Sequence, residues 1–339
     1  MVVDAADAAH PSVGVAQRGN DLGPPTREVA GEFGVLAVLV ADAEVTDIFV
    51  NGSSGVWVDR GSGLDRVSHL RIDESEVREL AVRLMSLGGR HIDETSPCVD
   101  SRLDGGIRVH AVLRPISPSG TLLSIRLPRP QPPTLDFLDA GGLFSPGDRN
   151  FVEGLVERRE NLLITGAGGS GKTTFLAALL GHASPRERII AIEDVGELRV
   201  RHPQFLALEA RQPNLEGAGG LGLERLVREA LRMRPDRLVL GECRGAEIRE
   251  LLAALNTGHD GGAGTLHANS LEDVPARLEA VGALAGMSAL AVARQTVSAI
   301  GMVLHLERTQ SGRRLAQKGR FVLGDRDRLA IVPIDGPTA

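Results

Sequence analysis

The stretch GAGGSGKTT, residues 166–174, constrains this chain more than any other. It fits G-x-x-x-x-G-K-S/T through Gly166, Gly171, Lys172 and Thr173. The apolar run NLLIT precedes it and FLAALL follows, so the motif reads as strand, loop, helix, the context a phosphate-binding loop requires. Glycines let the backbone fold tightly, and successive N–H groups then point inward at an anion. The helix N-terminus adds roughly half a positive charge. Gly166, Gly168, Gly169, Ser170 and Gly171 form the cradle, and Thr174 follows it into the helix. Lys172 places a cation on the β/γ-phosphates and the Thr173 hydroxyl ligates Mg²⁺. ATP and Mg²⁺ are the expected cofactors. A plain glycine-rich turn would not need strand, spacing and helix together.

The rest of the chain arranges itself around that motif. With 339 residues, two domains are expected at roughly 100–200 residues each. Residues 1–29 lack periodicity and read as a disordered tail. Residues 30–128 read as an α+β domain. DIFVNGSSGVWVDR suggests two strands, IRVHAVLR and TLLSIRLP two more. Val77, Leu80, Ala81, Leu84 and Met85 recur at helical spacing over 73–90, where Gly88 and Gly89 stop the pattern. Proline-rich PRPQPPTLDF marks a linker over 129–148. From 149 to 339 short apolar runs (NLLIT, RIIAIE, FLALEA, RLVLG, GTLH) alternate with helical stretches at 171–182, 222–233 and 245–257. Such alternation predicts a mostly parallel sheet flanked by helices. MVLHLER, GRFVLGD and LAIVPID read as edge strands. VGALAGMSALAVA, 281–293, is too short to span a bilayer and reads as a buried helix.

A phosphate loop needs carboxylates beside it. Glu193, Asp194 and Glu197 follow one apolar strand and Glu242 follows another. An acid at such a strand end can hold the water shell of Mg²⁺ or orient attacking water. NTGHDGGAGTLHANS adds His259 and His267 among glycines. Zinc ligation would need two more partners near them. The two cysteines, Cys98 and Cys243, form no C-x-x-C pair, which argues against a thiolate zinc site and for a reducing compartment. A net charge of −6, with 3% aromatics and no Tyr, offers little for non-specific nucleic-acid binding.

Assembled, these segments resemble the secretion ATPase superfamily of type II and type IV secretion systems, and within it the tight-adherence (Flp/Tad) pilus assembly ATPases, the CpaF-like branch. RENLLITGAGGSGKTT is similar to the family's P-loop and AIEDVGEL to its aspartate box. LVREALRMRPDRLVLGECRG is similar to its Walker B region, and NTGHDGGAGTLHANS with PARLE to its histidine box. SRLDGGIRVHAVLRPISPSGTLLSIRLP resembles its arginine-bearing segment. The resemblance covers roughly residues 40–310. Cys243 stands where an aliphatic residue is expected, and Gly301 where the family often has Asp.

The resemblance implies a RecA-like P-loop domain behind a smaller α+β domain. It makes Glu197 the water-activating acid and Glu242 the Walker B carboxylate, a Mg²⁺ ligand through water. It makes His267 a γ-phosphate sensor, with His259 in a loop-holding role. Arg102, Arg108, Arg114 and Arg126 lie in the segment that supplies arginines to a nucleotide at a domain or subunit interface, with no choice among them. It further implies a homo-hexamer, cytoplasmic and peripheral at the inner face of the membrane, that powers pilus assembly or secretion through an inner-membrane platform protein. Membrane contact is then indirect and no direct nucleic-acid contact is expected. Two alternatives stay open, a DNA-transferring motor on the same core and a non-hydrolytic nucleotide switch.

Overall fold

The computed structural model describes residues 30–61, 63–128, 132–211, 219–309 and 312–334. Residues 1–29, read above as a tail, and 129–131 of the proline-rich segment lie outside the described residues. Contacts divide the chain into two compact units, Met1–Gln131 and Pro132–Ala339.

Six strands build the sheet of the first unit: β1 (Asp47–Asn51), β2 (Val56–Asp59), β3 (Leu64–Arg66), β4 (Cys98–Arg102), β5 (Arg108–Val112) and β6 (Leu122–Arg126). Their order is β3-β2-β1-β6-β5-β4, with every pair antiparallel. Alternation puts Ile48, Val50, Val56, Val58, Val109, Ala111, Leu123 and Ile125 on one buried face. Two helices accompany the sheet, α1 (Ala37–Ala41) after a 3-10 turn and α2 (Glu74–Leu87). Asp73 starts α2 with a capping box: its Oδ1 accepts from the Glu76 N–H at 2.9 Å and Glu76 Oε2 from the Asp73 N–H at 3.2 Å. Val77, Leu80, Ala81, Leu84 and Met85 all bury into the sheet's core. Glu74 ties the helix to the start of β6, accepting from the Thr121 hydroxyl at 2.8 Å.

The second unit opens with α3 (Leu135–Ala140) and α4 (Asp148–Glu157). Helix α3 falls inside the range read as a linker. It begins where Thr134 caps it, its hydroxyl accepting from the Phe137 N–H at 3.2 Å. The α/β core follows: β7 (Leu162–Gly166), α5 (Lys172–Gly181), β8 (Ile189–Glu193), β9 (Phe205–Glu209), α6 (Leu223–Leu231), β10 (Arg237–Leu240), α7 (Glu247–Leu255) and β11 (Ala263–His267). Then come α8 (Val274–Leu284), α9 (Ala289–Ala299), β12 (Met302–Thr309), β13 (Gly312–Leu323) and β14 (Leu329–Pro333). Sheet order is β14-β13-β12-β7-β11-β10-β8-β9. Six strands run parallel, and β13 and β14 antiparallel. Successive residues serve opposite faces. Leu163, Ile190, Ile192, Leu238 and Leu240 pack with α6 to α9, while Leu162, Ile164, Ile189, Ala191 and Val239 pack with α4 and α5. Burial on both faces is why these strands read as unbroken apolar runs.

Two expectations change. MVLHLER is not an edge: β12 pairs in parallel with β7 in the sheet interior, with Met302–Leu306 buried. The segment 281–293 is not one helix. α8 stops at Leu284 and α9 starts at Ala289, the two bent by 118°. Gly286 takes a left-handed turn at φ 71°, and the Ser288 hydroxyl caps α9 by accepting from the Ala291 N–H at 3.2 Å. Among the described residues no single helix is long and apolar enough to cross a membrane; the bent pair passes only by length and composition.

Candidate functional site

The carboxyl ends of β7, β8, β10 and β11 lie side by side, with His267 in register with Gly166. Residues far apart in sequence therefore gather at one end of the sheet, the place where open α/β sheets bind ligands.

The cradle begins at Gly166, φ 149°. A Cβ there would lie 2.4 Å from the Leu306 carbonyl oxygen and 2.5 Å from Ser170 Oγ, so no side chain fits. Gly171 caps α5 in the left-handed region, which turns the loop so that the helix N-terminus faces its interior. Lys172 is buried and folds back over the loop, its Nζ donating to the carbonyls of Gly166 and Ala167 at 2.9 Å each. Burial pushes its pKa below the ordinary lysine value, while Glu242 and Glu197 push the other way. Thr173 lies in the first turn of the helix, its hydroxyl 3.5 Å from Glu197 Oε2. Ser170 Oγ is buried with no hydrogen-bond partner among the described residues.

Of the three acids at the end of β8 and after it, only Glu193, the strand's last residue, is buried. Its Oε1 accepts from the N–H groups of Glu197 at 2.8 Å and Leu198 at 3.0 Å. Those bonds fold the segment back and bring Glu197 to Thr173. Glu242 is bracketed: Oε1 lies 3.1 Å from His267 Nε2, and Oε2 accepts from Arg244 Nη2 at 2.5 Å. Arg244 also reaches Asp194, at 3.7 Å. His267 Nδ1 sits 3.4 Å from Lys172 Nζ. A neutral ring protonated on Nε2 satisfies both contacts, accepting from the ammonium and donating to Glu242. Burial, then the Lys172 charge, lowers the His267 pKa, and Glu242 opposes them. A cleft of about 540 Å³ opens here, lined by Ala167, Gly168, His267, Asn269 and Arg277.

The structure separates the two histidines of the sequence motif. His259 lies before β11, its Nδ1 3.2 Å from the Ala254 carbonyl oxygen. The five residues of β11, at roughly 3.3 Å each, stand between it and the cradle. Of the four candidate arginines named from the sequence, three form a row. Arg102, Arg108 and Arg126 are cross-strand neighbours on β4, β5 and β6, and Arg126 Nε bonds Asp47 at 3.1 Å. Arg114 is apart and exposed, before cis Pro115.

Sequence reasoning missed three residues. Arg244, two positions past Glu242, holds it. His305 and Thr165 form a buried pair, with Thr165 Oγ1 2.9 Å from His305 Nδ1. Thr165 is the residue before Gly166, so the imidazole buttresses the entry to the loop. A lone polar residue in the apolar run MVLHL was the available signal. Burial also lowers the His305 pKa. Cys243 is buried, which raises its thiol pKa far above the ordinary range, while Cys98 is exposed.

Among the described residues no group of three His, Cys, Asp or Glu could hold a metal ion by itself. The Thr173 hydroxyl and the Glu242 carboxylate are hard oxygen donors. Their small number suits Mg²⁺, which keeps several waters and takes its remaining ligands from phosphates.

A sequence model of the family described as "Type II/IV secretion system protein" matches residues 30–322. The chain is 48% identical over 287 residues to a Mycobacterium tuberculosis protein named "Putative conjugal transfer protein", covering 83% of this chain and 82% of that one. It is 32% identical over 278 residues to the type IV secretion system protein PtlH of Bordetella pertussis, covering 75% and 82%. Among solved structures, the pilus retraction motor PilT with bound ADP superposes with a TM-score of 0.58 at 19% identity, covering 88% of this chain and 81% of that one. The ATPase DotB of Yersinia pseudotuberculosis superposes with 0.56 at 17%, covering 91% and 78%. These two likenesses concern the fold, a RecA-like P-loop domain with a smaller domain before it.

Proposed function

The chain belongs to the type II/IV secretion system protein family, and on that premise we propose that it is an ATPase that couples hydrolysis to the work of a secretion or pilus machine. The observation that carries the proposal is the convergence of Lys172, Thr173, Glu197, Glu242 and His267 around one glycine cradle. In this reading Lys172 leaves the Gly166 and Ala167 carbonyls for the β/γ-phosphates, exchanging two neutral acceptors for a charged one. Thr173 and, through water, Glu242 would hold Mg²⁺, which would supply positive charge to the phosphate oxygens. Glu197, held by its N–H to Glu193, orients the attacking water. His267 loses its ammonium neighbour when Lys172 moves and is then free to bond the terminal phosphate, so the state of the nucleotide reaches Glu242 and Arg244.

The row of Arg102, Arg108 and Arg126 supplies positive charge on a surface of the first unit, suited to a nucleotide held by a neighbouring subunit. Rings close through heterologous contacts of that kind. By resemblance to its family we further propose a homo-hexamer, cytoplasmic and peripheral to the inner membrane, working on a platform protein. Glu197→Gln tests the chemistry. Binding of ATP is expected to persist while turnover falls at least about 10²-fold; unchanged turnover would remove Glu197 from water activation.

The name of the mycobacterial relative favours a second reading, a motor for conjugal transfer. The net charge of −6 weighs against a direct grip on DNA. ATPase activity stimulated several-fold by DNA, lost at high salt, would decide for that reading.

A further inference from the structure

We propose that Arg308 and Arg313, facing each other across the β12–β13 hairpin, form a second cationic clasp on the phosphates of a nucleotide held by this chain's own glycine loop. The inference rests on the nucleotide reading above and adds two residues to it.

The hairpin's placement comes first. Met302–Leu306 of β12 pair with Leu162–Gly166 of β7, and β7 ends there. Glu307–Thr309 continue β12 beyond that point, an overhang of roughly 10 Å at about 3.3 Å per residue. It runs alongside the loop between Gly166 and Lys172. Arg313 Nε donates to the Gly169 carbonyl at 3.1 Å. Arg313 Cδ lies 2.9 Å from where a Cβ on Gly171 would stand, and Arg308 Nη1 3.7 Å from that of Gly169. Both side chains thus lie against the cradle.

The pairing itself is the second observation. Arg308 and Arg313 are direct cross-strand partners. Like charges so placed destabilise a hairpin. The adjacent pair, Glu307 with Arg314, is complementary at 2.7 Å and, by alternation, on the other face. Arg308 forms no ion pair among the described residues. Two guanidinium groups set against a phosphate loop are placed to bond an anion held there. Their planar forks match phosphate oxygens in a way a carbonyl does not. On binding, Arg313 exchanges the Gly169 carbonyl for a phosphate oxygen, and Arg308 closes from the same side. The nucleotide is then gripped by Lys172 and the helix N-terminus on one flank and by the hairpin on the other.

The test is titration of the full chain and its Arg308→Gln/Arg313→Gln variant with ATP and AMP at several salt concentrations, with Lys172→Ala alongside. ATP affinity of the double variant is expected to fall at least about 10-fold, with a flatter salt dependence. AMP affinity should change less, and Arg308→Lys/Arg313→Lys should recover part of the loss. An unchanged ATP affinity and salt slope in the double variant, with binding still lost in Lys172→Ala, overturns the clasp and spares the nucleotide site. A full chain that binds no ATP, or a Lys172→Ala variant that binds it equally well, overturns both. Should the double variant fail to fold, Arg308→Gln alone carries the same comparison.

Discussion

At the residue scale, His305 places a titratable ring where only a neutral one is comfortable. It is buried beside Thr165, directly before the cradle, and burial holds its folded pKa below the ordinary histidine value of about 6.5. The unfolded chain therefore binds more protons than the folded one once the pH falls through that value, and stability is lost on acidification. His305→Gln keeps a hydrogen-bonding group but cannot charge. Urea midpoints at pH 7.5 and 5.5 are expected to differ less in the variant than in the natural chain. An equal difference would show that the ring is not the acid-sensitive group. His267 shifts in the same direction, but it is more exposed and its share should be smaller. Its value lies in contacts: its two nitrogens connect Lys172 to Glu242, and so join P-loop to carboxylate without any covalent or metal link.

At the element scale, the bend between α8 and α9 illustrates local chemistry setting a direction. Ser288 satisfies the Ala291 N–H at the start of α9. Ser288→Ala is expected to cost about 1 kcal/mol, and Ser288→Asp, another good cap, to keep most of it; denaturant unfolding measures both. A cost near zero would mean that packing alone of Val292 and Ala293 holds the bend. The hairpin of β12 and β13 is an element of the opposite sort. Its first half is fixed by burial beside β7, while its second half extends past the end of β7 and carries Glu307, Arg308, Arg313 and Arg314.

At the scale of the whole molecule, the proposed ring sets a kinetic expectation. An arginine supplied by another subunit contributes roughly 10³–10⁵ in rate in related phosphoryl-transfer enzymes, so turnover per chain is expected to rise with protein concentration and then level off. Strict proportionality down to the monomeric range would place every needed group within one chain. Much of this molecule was legible in order along the chain. GAGGSGKTT between NLLIT and FLAALL specified strand, loop and helix, because glycine freedom and apolar periodicity act locally. The parallel sheet followed from apolar runs too continuous for one-sided burial, and α2 from its spacing and its Asp73 cap. What only the tertiary structure decided were the long-range neighbours. Nothing local puts MVLHLER beside β7, His305 under Thr165, His267 on Glu242, or Arg313 on Gly169. Sheet order is set by which apolar faces bury together, a sum over the whole chain that no short window of sequence contains.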